Sequence, residues 1–322
     1  MKVLITGGAG FIGSHLSEEL LTRKNDVVVI DNLSTGSMKN IEHLKHNRQF
    51  KCYIDTIMNV KLMKKLIKDC DVIYHLAAAV GVKYVIENQL ESIKTNVEGT
   101  EIVLECANKF GKKKTLIAST SEVYGKNIDG LKAFKETDDR ILGATTIPRW
   151  SYSCTKELDE FLSLAYWREK KLPVIIVRLF NTCGPRQTGR YGMVLPRFVK
   201  QALSSHPITV YGDGTQTRCF IYVGDAVNAL ISLMDREKAV GEIFNIGNPS
   251  SISINELAKR VKKLTGSKSK IAHIPYEKAY EKGFEDMKHR QPDITKVKKL
   301  INFDPKVNMD EIIVKTMEYF RG

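Results

Sequence analysis

The chain has 322 residues, of which 50 are lysine or arginine and 37 are aspartate or glutamate, so its formal net charge is +13. Hydrophobic residues make up 43% and charged residues 27%, a mix typical of a folded protein that excludes a disordered chain or a disulfide scaffold. No apolar run approaches the roughly 18 residues of a membrane span. No secretory signal follows Met1, so we expect a cytoplasmic protein without membrane segments.

Short apolar runs alternate with amphipathic stretches over the first 125 residues, and one more apolar run follows later. The apolar runs predict buried strands at residues 2–6, 26–30, 49–54, 71–76, 115–118 and 174–179. The amphipathic stretches predict helices, including 58–68 and 92–109. Continuous apolar strands that alternate with helices are typical of parallel sheets covered on both faces. We therefore predict an α/β fold with a Rossmann-type, doubly wound parallel sheet.

The pattern loosens beyond about residue 180, where glycine- and proline-rich loops separate two or three helices. We predict a Rossmann domain over residues 1–180 and a smaller C-terminal lobe, mainly residues 181–322. The two are interleaved, because some later segments are expected to return to the sheet. A basic run at 259–270 has apolar partners at helical spacing, so we interpret its cations as the solvated face of one helix and expect no nucleic-acid partner.

A glycine motif follows the first strand and opens the first helix. Gly7, Gly10 and Gly13 have the GxxGxxG spacing that lets a backbone turn tightly and approach a pyrophosphate at a helix N-terminus. Asp31 ends the second strand, where a carboxylate suits the adenosine ribose and repels a 2′-phosphate. These features predict NAD rather than NADP. The further expected contacts at the strand ends are Phe11, Ile12, Asn32, Asp55, Leu76, Ala77 and Ala78, whereas His75 is expected to be a core histidine.

Tyr152 and Lys156 form a YxxxK pattern, which places both side chains on one helical face. A nearby ammonium stabilises a phenolate, so the pair predicts a general base that works near neutral pH, with help from the charge of NAD⁺. Thr120 follows the fifth strand and is expected to hydrogen-bond a substrate oxygen. Glu122 is expected to act as an acid or base or to steer a neighbouring anion, with a structural hydrogen bond as the alternative.

Together, GGAGFIG, Asp31, STSEVYG and YSCTK resemble the extended short-chain dehydrogenases/reductases, namely the NAD-dependent sugar-nucleotide epimerases and dehydratases. The resemblance implies that NAD⁺ stays bound while the Tyr-Lys pair removes a hydroxyl proton and a 4-keto sugar forms. It also implies that Asn181, Arg218 and Arg290 contact the diphosphate of the substrate. Arg190, in the GPRQTGR loop, is a candidate clamp for a substrate carboxylate, with a structural or phosphate-facing arginine as the alternative.

The resemblance leaves more than one reaction open. Dehydration is disfavoured because Ser121-Glu122 stands where the dehydratases of this family carry an Asp-Glu pair. We predict a UDP-sugar 4-epimerase that acts on UDP-glucuronate, with UDP-glucuronate decarboxylation and UDP-glucose 4-epimerisation as alternatives. The resemblance further implies a homodimer through the helices at 92–109 and 152–170. The six cysteines have no metal-ligand spacing, so no metal site is expected.

Overall fold

The computed structural model describes residues 1–127, 133–189, 192–279 and 287–322. In the first half the elements are β1 Lys2–Thr6, α1 Phe11–Thr22, β2 Asp26–Asp31, β3 Phe50–Ile54, α2 Val60–Lys68, β4 Val72–His75, α3 Val82–Glu87, α4 Gln89–Lys109, β5 Lys114–Thr120, α5 Trp150–Lys170 and β6 Val174–Leu179. The later elements are β7 Thr182–Cys183, α6 Val194–Leu203, β8 Ile208–Tyr211, β9 Thr217–Cys219, β10 Ile221–Tyr222, α7 Val223–Met234, β11 Ile243–Ile246, β12 Ser251–Ser253, α8 Ile254–Thr265, β13 Ile271–Ile274, α9 Tyr276–Ala279, α10 Thr295–Ile301 and α11 Met309–Arg321.

The central sheet of the described residues has seven strands in the order β11-β6-β5-β4-β1-β2-β3, and every neighbouring pair is parallel. The strand order reverses between β1 and β4, which is the switch point where doubly wound sheets bind ligands. The predicted Rossmann-type fold is confirmed. The fifth strand runs on to Thr120, beyond the predicted end at Ala118, so it carries the catalytic candidates to the edge of the sheet.

Side chains of the strands alternate between the two faces of the sheet, as the period of two requires. Val3 and Ile5 enter one buried cluster, with residues of α1, α7 and α10, whereas Leu4 enters the other, with residues of α2, α4 and α5. The sheet is therefore covered on both faces. This double coverage explains why its strands are continuous apolar runs in the sequence.

A separate apolar cluster lies outside the sheet and is formed by α6, α8 and α11 with β8, β9 and β13 nearby. Of the later elements, α7 and α10 instead pack on the central sheet, and β11 is its edge strand beside β6. The boundary between residues 180 and 181 stays a prediction. α8 buries Leu257 and Val261 as expected, but it ends at Thr265, so Lys268 and Lys270 lie beyond the helix to which the basic run was assigned.

No helix among the described residues has the length and apolar character that a membrane crossing requires. The six cysteines are free thiols, and Cys70, Cys106, Cys183 and Cys219 are buried.

Candidate active site

A cavity of about 510 Å³ lies at the carboxyl ends of the sheet strands. The predicted cofactor and catalytic residues that line it are Gly7, Gly10, Phe11, Ile12, Gly13, Asp31, Asn32, Asp55, Leu76, Ala77, Ala78, Thr120, Ser121, Glu122 and Tyr152. Asn181, Arg218 and Arg290 line it as well, so one space joins the predicted cofactor and substrate contacts. Lys156 lies behind this wall, and Arg190 lies outside the described residues.

The turn between β1 and α1 leaves no room for side chains. Gly7 has a φ of +73°, and a Cβ there would lie 2.9 Å from the backbone nitrogen of Ala77. A Cβ on Gly13 would lie 2.2 Å from the carbonyl oxygen of Gly7. No side chain caps α1 at Gly10. The uncapped N–H groups of the first helical turn are therefore suited to a phosphate.

Asp31 ends β2 and is held by the turn that follows β1. Its carboxylate oxygens accept hydrogen bonds from the backbone nitrogens of Ala9, at 3.0 Å, and Leu33, at 2.8 Å. Burial raises the pKa of Asp31 despite these bonds. Three features fit the pyrophosphate and adenosine ribose of NAD⁺. They are a turn whose glycines leave no room for a Cβ atom, a helix N-terminus without a side-chain cap, and a carboxylate at the end of β2.

Asp55, expected at the adenine, is engaged by its own loop. Its carboxylate accepts hydrogen bonds from the backbone nitrogen of Thr56, at 2.7 Å, and from Asn59, at 2.8 Å. The Asn32 side chain likewise accepts bonds from Ser34. Both residues line the cavity, and their contact with the cofactor stays a prediction.

His75 is a core histidine, as expected. Its ring nitrogens lie 2.7 Å from the hydroxyl of Thr6 and 3.1 Å from that of Thr100, and the side chain is 1% exposed. Burial, helped by the charge of Lys156, lowers the pKa of His75 to about 3. The ring is therefore neutral and takes no proton at physiological pH.

Tyr152 lines the cavity one helical turn before Lys156. Burial, together with the carboxylates of Glu122 and Asp159, raises the pKa of Tyr152 well above its ordinary value, although a hydrogen bond with Thr120 acts in the other direction. The YxxxK pattern, which suggested stabilisation of the phenolate by Lys156 and NAD⁺, did not predict these two carboxylates. The role of Tyr152 as a general base beside bound NAD⁺ stays a prediction.

Lys156 is buried and makes an ion pair that the sequence analysis did not anticipate. Its Nζ lies 2.7 Å from Oδ2 of Asp159, and the two side chains are 2% and 0% exposed. The spacing i, i+3 on α5 places both on one face of the helix. The ammonium therefore faces a buried carboxylate.

Glu122 joins two arginines from distant parts of the chain. One carboxylate oxygen lies 2.8 Å from Arg149, and the other forms an ion pair with Arg290. Although burial acts in the opposite direction, the two guanidinium groups lower the pKa of Glu122 to about 2. Glu122 is thus an anion at neutral pH, which argues against the acid among its expected roles, whereas its roles as a base or as a group that steers a neighbouring anion stay predictions.

The predicted diphosphate contacts meet on the same side of the cavity. Arg290 donates a hydrogen bond of 2.7 Å to Oδ1 of Asn181, in addition to its pair with Glu122. Arg218 donates to the carbonyl oxygens of Thr217 and Met287, both at 2.8 Å. The pairing with Glu122 places Arg290 near the tyrosine, and its role at a diphosphate stays a prediction.

The sequence analysis missed Arg149 and Asp159 as members of the site. Arg149 precedes Tyr152 by three residues, and Asp159 follows Lys156 by three, so helical spacing could have indicated both. The missing information was which carboxylate or cation each would meet. Glu122 lies 27 residues from Arg149 and 168 from Arg290 along the chain.

Comparison with known proteins agrees with this site. The family model described as GDP-mannose 4,6 dehydratase matches residues 4–316. The chain belongs to this family. Membership in the GDP-mannose 4,6-dehydratase family confirms the predicted resemblance to NAD-dependent sugar-nucleotide enzymes.

Two curated relatives of this family member are decarboxylases. The UDP-N-acetyl-α-D-glucosaminuronate decarboxylase of Bacillus cytotoxicus is 48% identical over 321 residues, which are 99% of this chain and 98% of that protein. The UDP-glucuronic acid decarboxylase 1 of Xenopus tropicalis is 36% identical and covers 99% of this chain and 72% of that one.

Among solved structures, the UDP-glucuronic acid 4-epimerase of Bacillus cereus, in complex with UDP-glucuronic acid and NAD, is similar with a TM-score of 0.89. It is 31% identical, and the match covers 100% of this chain and 99% of the epimerase. The family member thus resembles decarboxylases in sequence and an epimerase in structure.

Proposed function

We propose that the chain is an NAD-dependent decarboxylase of a UDP-hexuronate. The observation that carries the proposal is the 48% identity, over nearly the whole chain, to a decarboxylase of a UDP-linked uronic acid. The site agrees with it, because the ionised Glu122 lies beside Tyr152 where a sugar would react. Mechanistically, the first step oxidises C4 of the sugar, and the second loses the C6 carboxylate.

Tyr152 acts first as the general base. When bound, NAD⁺ accepts a hydride from C4 and adds positive charge near the phenol. Tyr152 takes the O4 proton at the same time, so the O4–H and C4–H bonds break and a C4 ketone forms. Thr120 accepts a hydrogen bond from the backbone nitrogen of Glu122, at 3.2 Å, which leaves its own O–H to donate to the phenolic oxygen.

The ketone formed at C4 makes the sugar a β-keto acid. The C5–C6 bond breaks, carbon dioxide leaves, and the electron pair moves into an enolate whose oxygen is O4. The protonated phenol of Tyr152 can donate to that oxygen, and the raised pKa of Tyr152 keeps the proton in place. C5 then takes a proton from water, and return of the hydride to C4 and of the proton to O4 gives a UDP-pentose.

The cluster that Glu122 forms with Arg149 and Arg290 carries one negative and two positive charges, so its net charge would attract the C6 carboxylate of the substrate to this end of the cavity. Arg149 and Arg290 hold Glu122 ionised and in place, and Glu122 in turn fixes the two guanidinium groups. Arg218 and Asn181 are the proposed contacts for the diphosphate.

A second candidate is the 4-epimerase predicted from the sequence. The observation in its favour is the structural similarity to the B. cereus UDP-glucuronic acid 4-epimerase at 31% identity. Both reactions share the C4 oxidation by Tyr152. They differ in the fate of the 4-keto uronate, which an epimerase reduces on the opposite face with its carboxylate retained.

One experiment separates the candidates. The purified chain is incubated with NAD⁺ and either UDP-N-acetylglucosaminuronate or UDP-glucuronate, and the products are analysed by mass spectrometry and proton NMR. We expect loss of carbon dioxide from at least one substrate. An unchanged mass with altered couplings at H4 contradicts the decarboxylase and supports the epimerase. Turnover of UDP-glucose with no turnover of either uronate contradicts both the decarboxylase and the uronate 4-epimerase.

We also propose that the chain forms a homodimer through α4 and α5. These helices pack on each other and expose large apolar side chains, with Leu90 69%, Leu158 48% and Phe161 54% exposed. Analytical ultracentrifugation of the chain and of Phe161→Glu tests this: we expect a dimer that the variant weakens. A monomeric chain contradicts the proposal.

A further inference from the structure

The ion pair of Lys156 and Asp159 is buried behind the wall of the cavity. Each group needs the other, because an isolated charge in this environment is strongly unfavourable. Asp159 is 0% exposed, and burial raises its pKa, whereas the charge of Lys156 opposes that rise. The positive charge that the YxxxK pattern assigns to the tyrosine is therefore shared with a carboxylate.

The second oxygen of Asp159 is one of several buried side-chain atoms among the described residues that have no hydrogen-bond partner. Oδ1 is buried and makes no hydrogen bond of ordinary geometry, although the Thr100 side chain lies close enough to lower the pKa of Asp159. A carboxylate with one unsatisfied oxygen keeps more of its negative field than a fully hydrogen-bonded one. That field reaches Tyr152 and raises the pKa of the phenol.

The other charged groups around the pair come from several elements packed against α5. Glu122 adds a second negative charge near Tyr152, and Arg290 opposes it. Glu160 adds a further carboxylate near Asp159, but Arg178 from β6 binds it through both oxygens, at 3.0 and 2.7 Å. His75 from β4 is neutral. Asp159 is thus the carboxylate nearest the ammonium.

The polar groups beyond Asp159 do not form an exit for protons. They run inward from Thr100 to His75 and Thr6, whose hydroxyl oxygen accepts the backbone N–H of Ala77 at 3.2 Å. Thr6, His75 and Thr100 are all buried. Among the described residues, these polar groups therefore lead from Asp159 into the interior of the protein.

We propose that Asp159 is a positioning residue that fixes the Lys156 ammonium and keeps the Tyr152 phenol protonated until the positive charge of the oxidised cofactor is present. The inference rests on the proposed role of Tyr152 as the base. Under this proposal the strength of Tyr152 as a base depends on bound NAD⁺, because the carboxylate of Asp159 largely offsets the positive charge of Lys156. Removal of the Asp159 charge then makes Tyr152 easier to ionise.

Asp159→Asn tests this with little change of shape. Ultraviolet difference titration, with Tyr152→Phe as the background, measures ionisation of Tyr152 with and without NAD⁺. We expect Tyr152 to ionise about one pH unit lower in Asp159→Asn, and the acid limb of the pH profile of turnover to move by a similar amount. Glu157→Gln is the matched control, since it removes one negative charge from the same helix at a residue that pairs with Arg140, and it should leave both titrations unchanged.

An unchanged tyrosine titration in Asp159→Asn overturns the proposal. The titration needs no substrate, so its outcome is separate from whether the chain decarboxylates UDP-hexuronates. Lys156→Met combined with Asp159→Asn replaces the buried pair by neutral groups and should fold even if the single variant does not. In the combined variant Tyr152 should ionise near the pH at which it ionises in the unmodified chain. In Lys156→Met alone it should ionise at a higher pH. Equal titrations of those two variants also contradict the proposal.

Discussion

The two ends of the cavity are built in different ways. The cofactor end consists of a backbone turn at Gly7–Gly13 and one carboxylate, Asp31, that is held by backbone N–H groups. The sugar end is a cluster of side-chain charges in which Glu122 joins Arg149 and Arg290. Backbone geometry therefore governs the first end, and ion pairs between distant segments govern the second.

This difference separates binding from chemistry. A glycine-rich turn at a helix N-terminus recognises a pyrophosphate whatever the reaction is, so it is expected throughout a family that contains epimerases, dehydratases and decarboxylases. The charges at the sugar end set the protonation of Tyr152 and the environment of a substrate carboxylate. Substitutions at the two ends should consequently affect different measurements.

Tyr152→Phe should have the largest effect. It removes the general base, so we expect turnover to fall by about 10³-fold or more, while NAD⁺ affinity and thermal stability stay close to those of the unmodified chain. Product formation and calorimetric titration with NAD⁺ measure the two quantities. An active variant would refute the assignment of Tyr152 as the base. A variant with much weaker NAD⁺ binding would show that the sugar end of the cavity also governs cofactor affinity.

Glu122→Gln should reduce turnover by about 10²-fold, because it removes the charge that holds Arg149 and Arg290 in place. It should also alter the pH dependence of stability. The pKa of Glu122 is lowered from 4.5 to about 2, so its contribution is present above pH 4.5 and is lost as the pH falls toward 2. We expect the difference in free energy of unfolding between chain and variant to shrink over that range. A constant difference from neutral pH to pH 2 contradicts the ion pairing.

Gly13→Ala should act at the other end. Its Cβ would lie 2.2 Å from the carbonyl oxygen of Gly7, so the turn must open. We expect NAD⁺ affinity to fall by about 50-fold, with the turnover of fully loaded protein much less affected. Calorimetric titration and turnover at saturating NAD⁺ provide the comparison. A loss of turnover at saturating NAD⁺ with unchanged NAD⁺ affinity contradicts this prediction.

Asp31→Asn should have the smallest effect. It removes the negative charge expected at the adenosine ribose, so NAD⁺ should bind about tenfold more weakly and the preference over NADP⁺ should decrease. Asp26→Asn is the matched control, because Asp26 lies at the exposed opposite end of the same strand. Equal changes in both variants would show that Asp31 does not select the cofactor.

The elements of the sheet were predictable because each strand is a local apolar run. Residues 2–6 and 174–179 form β1 and β6 with the predicted bounds, and the other four predicted strands are present with ends that differ by one or two residues. β11 was not assigned as a strand. Its four residues are short, and its place beside β6 follows from a return of the chain after α7.

The site was predictable to the extent that its residues form contiguous motifs. All predicted residues within the described part of the chain line one cavity, except Lys156. The raised pKa of Tyr152 in the chain without cofactor was not predicted, since helical spacing identifies the lysine but does not reveal Glu122 and Asp159 as neighbours of the phenol. Charges act through space, so a motif describes only those that are also close along the chain.

The amino-acid sequence by itself therefore determined the Rossmann-type sheet, the glycine turn, Asp31 and the placement of Tyr152 and Lys156 one helical turn apart. Each depends on neighbours within one turn, strand or helix, where periodicity and spacing specify geometry. Only the tertiary structure decided that Glu122 meets Arg149 and Arg290, and that the Lys156–Asp159 pair of α5 is buried. The contacts of Glu122 and the burial of the pair depend on how the fold brings separate segments together, and these charges decide which groups carry protons.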